Sequence, residues 1–94
     1  MISEKFIDIF KALSDATRQD ILRMLAEHES CVNEICKKFE NMTQPTISHH
    51  LQILRRCDLV TVRRHGKLIY YSINRRTLRN SFEEFVASFK IELL

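Results

Sequence analysis

Residues 43–56, Thr-Gln-Pro-Thr-Ile-Ser-His-His-Leu-Gln-Ile-Leu-Arg-Arg, decide the fold. Thr43 is a typical N-cap residue, and the proline that follows falls in the first helical turn, where a missing N–H costs no hydrogen bond. Ile47, Leu51 and Leu54 recur on one side of this helix, so the opposite side is polar. The stretch therefore predicts a helix with a buried face and an exposed, hydrogen-bonding face.

Apolar residues at helical spacing predict two helices at the start of the chain. Ser3 is the expected N-cap of the first, and Ile9 falls off its main apolar stripe. That stripe consists of Phe6, Ile7, Phe10 and Leu13. Asp15 is a natural N-cap for the second helix, which should extend to about His28.

A third helix is predicted to start at Ser30, its expected N-cap. Its single buried stripe consists of Val32, Ile35, Cys36 and Phe39. After Leu59 the apolar pattern changes to a period of two, which predicts a β-hairpin with a basic tip and a turn at His65-Gly66. In this hairpin Val60, Val62, Leu68 and Tyr70 alternate with Thr61, Arg63, Ile69 and Tyr71.

A last amphipathic helix is predicted from Thr77 to the end of the chain. Its apolar residues are Leu78, Phe82, Phe85, Val86, Phe89 and Leu93. The sequence therefore predicts a mainly α fold with a small β-hairpin, of class α+β, in the order α1-α2-α3-α4-β-hairpin-α5. With 94 residues and 45% hydrophobic content, residues 1–94 are expected to form a single domain.

The composition argues against secreted and membrane classes. No apolar run approaches the roughly 18 residues that span a bilayer, and the N-terminus lacks the basic region of a signal peptide. The three cysteines are an odd count, which argues against a disulfide framework. We therefore expect a cytoplasmic protein with reduced thiols and no membrane partner.

Positive charge is concentrated in one segment. Residues 41–80 carry eight Lys and Arg against Asp58 alone, a balance of +7. Residues 1–40 and residues 81–94 each have a balance of −2. This asymmetry is typical of a surface that binds a polyanion between two acidic ends, although a solvated basic face would give the same count.

A helix pair whose second helix is polar on its outer side is the helix-turn-helix arrangement, and a basic hairpin beside it is a wing. Three stretches carry a closer resemblance: Ala-Leu-Ser-Asp-Ala-Thr-Arg at 12–18, Gln-Pro-Thr-Ile-Ser-His-His-Leu at 44–51 and Arg-His-Gly-Lys-Leu-Ile-Tyr-Tyr-Ser at 64–72. Together they resemble the ArsR-type (arsenic-repressor-like) family of dimeric winged helix-turn-helix repressors over nearly the whole chain. The family usually has proline where Ala16 stands, a departure that leaves the cap at Asp15 intact.

The sequence predicts which side chains meet double-stranded DNA. In the major groove, Gln44 is suited to adenine, Ser48 and His49 to base edges, and the Thr46 methyl to thymine. Arg63, Arg64 and Lys67 of the wing, with Arg55 and Arg56, would neutralise phosphates. The predicted DNA-binding residues are Thr43, Gln44, Thr46, Ser48, His49, Gln52, Arg56, Arg63, Arg64 and Lys67. His50 lies at the edge of the apolar face and is as consistent with a packed residue as with a base reader.

The resemblance implies a homodimer formed by the first and last helices. Size supports it independently, because a 94-residue domain has too little interior for every aromatic side chain. The predicted interface consists of Phe6, Phe10, Phe82, Phe85 and Phe89. Two-fold symmetry would then place two recognition helices about 34 Å apart, on a palindromic operator.

None of the family's metal sites is complete in this chain. Asn33 stands where the third-helix site has a second thiolate, Ile53 is matched with Cys57, and residues 77–94 lack the Asp and His ligands of the last-helix site. A zinc finger built from Cys31, Cys36 and His49 would need His50 as an adjacent fourth ligand, which the usual spacing does not allow. We therefore expect no cofactor, with Cys31 as the only candidate for a metal or redox role and an unknown effector. Cys36 and Cys57 are expected to be small buried residues.

These observations predict a sequence-specific DNA-binding repressor without a small-molecule ligand. One alternative is a derepressor that responds to metals or oxidants through Cys31. Another is a winged-helix module that binds proteins. An enzyme is not expected, because the chain has no recognisable acid–base pair, phosphate loop or activated nucleophile.

Overall fold

The computed structural model describes residues 4–92. The helices in that range are α1 (Glu4–Leu13), α2 (Ala16–Glu27), α3 (Val32–Lys38), α4 (Gln44–Arg56) and α5 (Arg75–Ala87). The strands are β1 (Ser30–Cys31), β2 (Val60–His65) and β3 (Leu68–Ile73). The predicted element order and α+β class are confirmed. The expected cap Ser3 and the apolar residue Leu93 lie outside the described residues.

Two of the predicted caps set where the helices begin. The Asp15 carboxylate accepts a hydrogen bond from the Arg18 N–H at 3.0 Å and starts α2. The Thr43 hydroxyl accepts from the Thr46 N–H at 3.3 Å and starts α4. Both satisfy N–H groups that have no partner within the helix, so the start of the recognition helix follows directly from the local sequence.

The predicted cap at Ser30 is wrong. Ser30 is fully buried in β1, where it pairs with Tyr71 of β3, and Cys31 takes the N-cap position of α3. The Glu34 carboxylate accepts the Cys31 N–H at 3.0 Å, and that hydrogen bond lowers the pKa of Glu34. A two-residue strand has no period in the sequence, so only the tertiary pairing reveals it.

The three strands form an antiparallel sheet in the order β1-β3-β2. His65 pairs with Leu68, so the hairpin loop is Gly66-Lys67, one residue later than predicted. Val62 lies opposite Tyr71, and Tyr71 packs against the core. The predicted grouping of Val62 with Tyr70 is therefore wrong by one residue in β3.

The core lies where α1, α2, α3 and α4 meet the base of the hairpin. Its members are Ile9, Ala12, Ile21, Leu22, Leu25, Ile35, Ile47, Leu51, Leu54, Leu59 and Val60. The expected faces of α1 need one correction, because Ile9 is fully buried while Ile7 is 49% exposed. Val60 starts β2 only four residues after α4 ends, so the wing is attached to the core beside the recognition helix.

The last helix is shorter than predicted. Asn74 caps it by accepting the Thr77 N–H at 3.3 Å, so α5 begins at Arg75 rather than at Thr77, and it ends at Ala87. Phe89 lies in a turn after the helix. Within residues 4–92, no helix combines the length and apolar character needed to cross a membrane.

Candidate nucleic-acid interface

The helix-turn-helix consists of α3, residues 39–43 and α4. Ile35 of α3 and Ile47 of α4 are both fully buried and belong to the same core. Backbone hydrogen bonds close the turn, with the Phe39 N–H donating to Ile35 O at 3.2 Å and the Met42 N–H donating to Phe39 O at 3.0 Å. Packing and backbone bonding together fix the direction in which α4 leaves the core.

The outer face of α4 is exposed and polar, as predicted. The exposed predicted contacts on this helix and its cap are Thr43, Gln44, Thr46, Ser48, His49, Gln52 and Arg56. Residues 44–56 contain no acidic side chain, and Arg55 and Arg56 occupy the last turn. An α-helix of this kind fits the major groove, where hydroxyl, amide and imidazole groups recognise base edges.

The two adjacent histidines have different environments. His49 is exposed, whereas the His50 side chain is only 13% exposed and its Nδ1 atom lies 3.2 Å from Nη1 of Arg18. A guanidinium can only donate, so in this contact His50 Nδ1 is the acceptor. Of the two readings that the sequence left open for His50, the packed one agrees with this geometry.

Arg18 of α2 links three helices, because its guanidinium contacts both α1 and α4. Its Nε–H donates to Ala12 O at 2.7 Å and its Nη2 to Lys11 O at 3.4 Å, while Nη1 reaches His50. The first two bonds satisfy carbonyls at the C-terminal end of α1, where a positive charge is favourable. The sequence does not reveal this role of Arg18, because its partners are backbone carbonyls and a residue 32 positions away.

The wing carries its predicted cations in two different states. Arg64 and Lys67 are exposed at the tip, beside the turn in which Gly66 has φ of +62°. Arg63 is also exposed, but its guanidinium forms an ion pair with Glu29, and Nε donates to Oε2 of Glu29 at 3.0 Å. In the sequence the three cations look equivalent, and nothing marks Glu29 as a partner of one of them.

A second group of basic residues lies at the C-terminal end of α4. Arg56 lines an open groove of about 760 Å³ together with Lys5 and Lys11 of α1. Glu4 and Asp8 line the same groove, so its charge is mixed. The groove extends the basic surface from α4 onto α1, but its acidic residues weaken any attraction for an anion.

The cysteines are all free thiols with limited exposure. Cys31 is 8% exposed. The Cys57 thiol donates to Asp8 O at 3.6 Å, and burial, with the nearby Asp8 carboxylate, raises the pKa of this thiol. Across residues 4–92, no three His, Cys, Asp or Glu side chains converge into a possible metal site.

Aromatic side chains form a surface between α1 and α5, which we call the aromatic surface. Phe10 contacts Phe85 with ring centroids 4.5 Å apart and Phe82 with centroids 5.6 Å apart. Phe82 remains 44% exposed and Phe89 59% exposed. Phe6, Phe10 and Phe85 are half-buried. The ring contacts thus join Phe10, Phe82, Phe85 and Phe89 of the five predicted interface residues, whereas Phe6 packs against the core.

Comparison with known families and proteins gives consistent matches. The family described as bacterial regulatory protein, arsR family, matches residues 15–62. The transcriptional repressor SdpR of Bacillus subtilis is 40% identical over 74 residues, which are 79% of this chain and 81% of that protein. The arsenical resistance operon repressor of Staphylococcus aureus is 39% identical over 70 residues, 74% of this chain and 66% of that protein.

Solved structures agree with the fold. The crystal structure of an ArsR family transcriptional regulator superimposes with a TM-score of 0.83 at 24% sequence identity, and covers 96% of this chain and 91% of its own. At that identity the match concerns the fold alone.

Proposed function

This chain belongs to the arsR family of bacterial regulatory proteins, and from that premise we propose that it represses transcription as a homodimer on a palindromic operator. As a member of the family it is a DNA-binding transcriptional regulator and not an enzyme. The observation that carries the proposal is the outer face of α4, which is exposed, polar and free of acidic residues beside a basic wing. We take residues 1–94 as one DNA-binding domain that acts in the cytoplasm.

In this proposal α4 reads bases in the major groove. Gln44 pairs with adenine, Ser48 and His49 meet base edges, and the Thr46 methyl contacts thymine. Thr43 and Gln52 flank these readers on the same exposed surface. Each well-placed reader contributes about 1–3 kcal/mol of discrimination between bases.

Basic side chains hold the helix in register by neutralising phosphates. Arg56 at the end of α4 and Arg64 and Lys67 on the wing are exposed and have no acidic partner among the ion pairs of residues 4–92. Such contacts fix position without reading sequence, and they release counterions. The affinity for DNA should therefore fall steeply as salt is added.

The aromatic surface supplies the dimer interface in this proposal. Phe82 and Phe89 lie outside the core of the chain and remain exposed, and Ile7 and Ile91 are also exposed. A monomer rarely shows a contiguous apolar patch of this kind. A two-fold axis through the surface would set two α4 helices about one turn of DNA apart, roughly 34 Å.

Titration of the reduced protein against DNA from its own promoter, at several salt concentrations, tests the proposal. The titration is repeated with zinc, cadmium, arsenite or peroxide. Tight binding that weakens with salt and is indifferent to the additives supports a repressor without a small-molecule ligand. If one additive abolishes DNA binding by the unmodified protein but not by a Cys31→Ser variant, the thiol or metal alternative is supported. Absence of binding at low salt would contradict the proposal and favour a protein-interaction module.

A further inference from the structure

Arg63 is the most strongly bound cation of the wing. Its Nε donates to both carboxylate oxygens of Glu29, at 3.0 Å to Oε2 and 3.2 Å to Oε1, and its Nη2 donates to Oε1. The guanidinium also lies over the ring of Tyr70, with Cζ 4.9 Å from the ring centroid. Paired donors and a covered planar face make this a fork-like ion pair rather than a loose surface contact.

Glu29 connects both strands of the wing to the segment before β1. Besides Arg63 of β2, its Oε2 accepts a hydrogen bond from the Ser72 hydroxyl of β3 at 3.3 Å. Glu29 itself lies between α2 and β1, outside the hairpin. Arg63 and Tyr70 are directly opposite each other in the β2–β3 ladder, so the Glu29 carboxylate binds one member of a cross-strand pair and also Ser72, two positions after Tyr70.

The other two wing cations differ from Arg63. In the described part of the chain, Arg64 and Lys67 take part in no ion pair and no side-chain hydrogen bond. Both side chains are exposed beside the turn. The three cations look equivalent in the sequence, but they differ in the structure. Arg64 and Lys67 are available to bind phosphates, whereas Arg63 is already paired with the Glu29 carboxylate.

We propose that Arg63 stays paired with Glu29 when DNA binds, and that Glu29 is a positioning residue that sets the wing so that Arg64 and Lys67 reach phosphates. This inference rests on the DNA binding proposed above. If Arg63 turned to a phosphate instead, the bare Glu29 carboxylate would be left facing a polyanion, and like charges across an interface are strongly unfavourable. If Arg63 exchanged the Glu29 carboxylate for a DNA phosphate, the ion pair that connects the wing to the segment before β1 would also be lost.

The slope of log affinity against log salt concentration tests this directly, because each neutralised phosphate contributes about 0.9 to its magnitude in duplex DNA. Arg64→Gln and Lys67→Gln should each reduce the magnitude by about 0.9. Arg63→Gln should leave the slope unchanged, because no phosphate ligand is lost, and weaken binding about threefold to tenfold, because the bare Glu29 carboxylate then faces the DNA. Glu29→Gln should raise the magnitude by about 0.9, because the freed guanidinium becomes available to a phosphate. The Glu29→Gln/Arg63→Gln double variant should regain the original slope.

A reduction of the slope by about 0.9 in Arg63→Gln, with no increase in Glu29→Gln, would overturn the inference and make Arg63 a phosphate ligand. Circular dichroism and thermal unfolding show whether each variant folds. Should a variant fail to fold, the Arg63 Nε–H resonance of the unmodified protein decides, since a retained pair keeps its chemical shift on addition of DNA and an exchanged pair does not. Failure of the unmodified protein to bind DNA would instead contradict the proposed function, which separates the two results.

Discussion

Two neighbouring histidines on α4 show how one position along a helix changes a side chain's role. His49 points away from the core and is exposed, whereas His50 accepts a hydrogen bond from Arg18 and lies 3.9 Å from the Asp15 carboxylate. An α-helix rotates by about 100° from one residue to the next, so adjacent residues point in different directions. The sequence places His50 at the edge of the apolar face, and the contact with Arg18 shows that it is packed.

This difference predicts opposite effects of two matched substitutions. His49→Ala should weaken binding to the operator by about 1–3 kcal/mol and relax base preference, while leaving stability unchanged. His50→Ala should destabilise the fold by about 1–2 kcal/mol, because it leaves a partly buried Arg18 donor without its acceptor. Binding to operators with single base changes, together with urea unfolding, distinguishes the two. Equal losses of stability in both variants would contradict the assignment.

Asp15 predicts a pH-dependent part of the stability. The Arg18 N–H holds the pKa of Asp15 below its usual value, so the carboxylate stabilises the folded state above the unfolded pKa of about 3.9. That contribution is lost as pH falls through the lowered folded pKa. Asp15→Ala should cost about 1 kcal/mol at neutral pH by removing the cap. The pH-dependent part should be smaller, because the side chain is 36% exposed.

Asp15→Asn is the matched control, because an amide oxygen retains the cap but does not titrate. Its unfolding free energy should stay near that of the unmodified protein at pH 7 and fall less between pH 5 and pH 3. The pKa values of Glu29 and Glu34 are lowered as well, so the unmodified protein will lose stability in this range through them too. The difference in unfolding free energy between Asp15→Asn and the unmodified protein, followed against pH, measures the contribution of the Asp15 carboxylate alone. Parallel curves would show that the Asp15 carboxylate makes no such contribution.

At the scale of elements, the sequence predicts features that depend on neighbouring residues, but not features that depend on contacts between residues far apart in the chain. The caps at Asp15 and Thr43 are decided within three residues, and the sequence predicts both. The role of Ser30 depends on pairing with Tyr71, 41 positions away, so its cap was predicted wrongly. The pairing of Arg63 with Glu29 has the same cause, since no spacing rule links a wing residue to one 34 positions earlier.

The wing turn carries a prediction at this scale. Gly66 has φ of +62°, and a Cβ built there meets no atom within 4 Å. Gly66→Ala should therefore cost only backbone strain, about 1–2 kcal/mol, without a steric clash. Gly66→Asn should cost less, because asparagine visits this region more readily. Equilibrium unfolding measures both costs. An alanine variant as stable as the asparagine variant would contradict the assignment.

Across the whole molecule, the reading surface and the aromatic surface are built on different elements. The exposed polar face belongs to α4 and the wing, and the exposed aromatic rings belong to α1 and α5. Arg18 joins the two regions, since it binds the end of α1 and the His50 ring of α4. The sequence predicts both surfaces from hydrophobic periodicity and charge, but it does not predict this connection between them.

The aromatic surface gives the prediction that belongs to the whole molecule. Phe82→Glu should weaken dimerisation about 30-fold or more, because removal of a central aromatic anchor costs about 2 kcal/mol and the new charges meet across the two-fold axis. Phe82 is already 44% exposed, so the unfolding free energy of the monomer should change little. Sedimentation equilibrium over a range of concentrations measures the dimer, and DNA titration should show a matching loss of affinity for the full palindrome but not for a half-site.

Leu68→Glu is the matched control, because Leu68 is similarly exposed, at 42%, but lies in the wing. It should leave the dimerisation constant unchanged, since β3 takes no part in the aromatic surface. If Phe82→Glu sediments as the unmodified protein does, the interface lies elsewhere on the chain. If dimerisation is weakened only in Phe82→Glu and the affinity for a half-site is preserved, then α1 and α5 hold together two protomers that each bind a half-site independently.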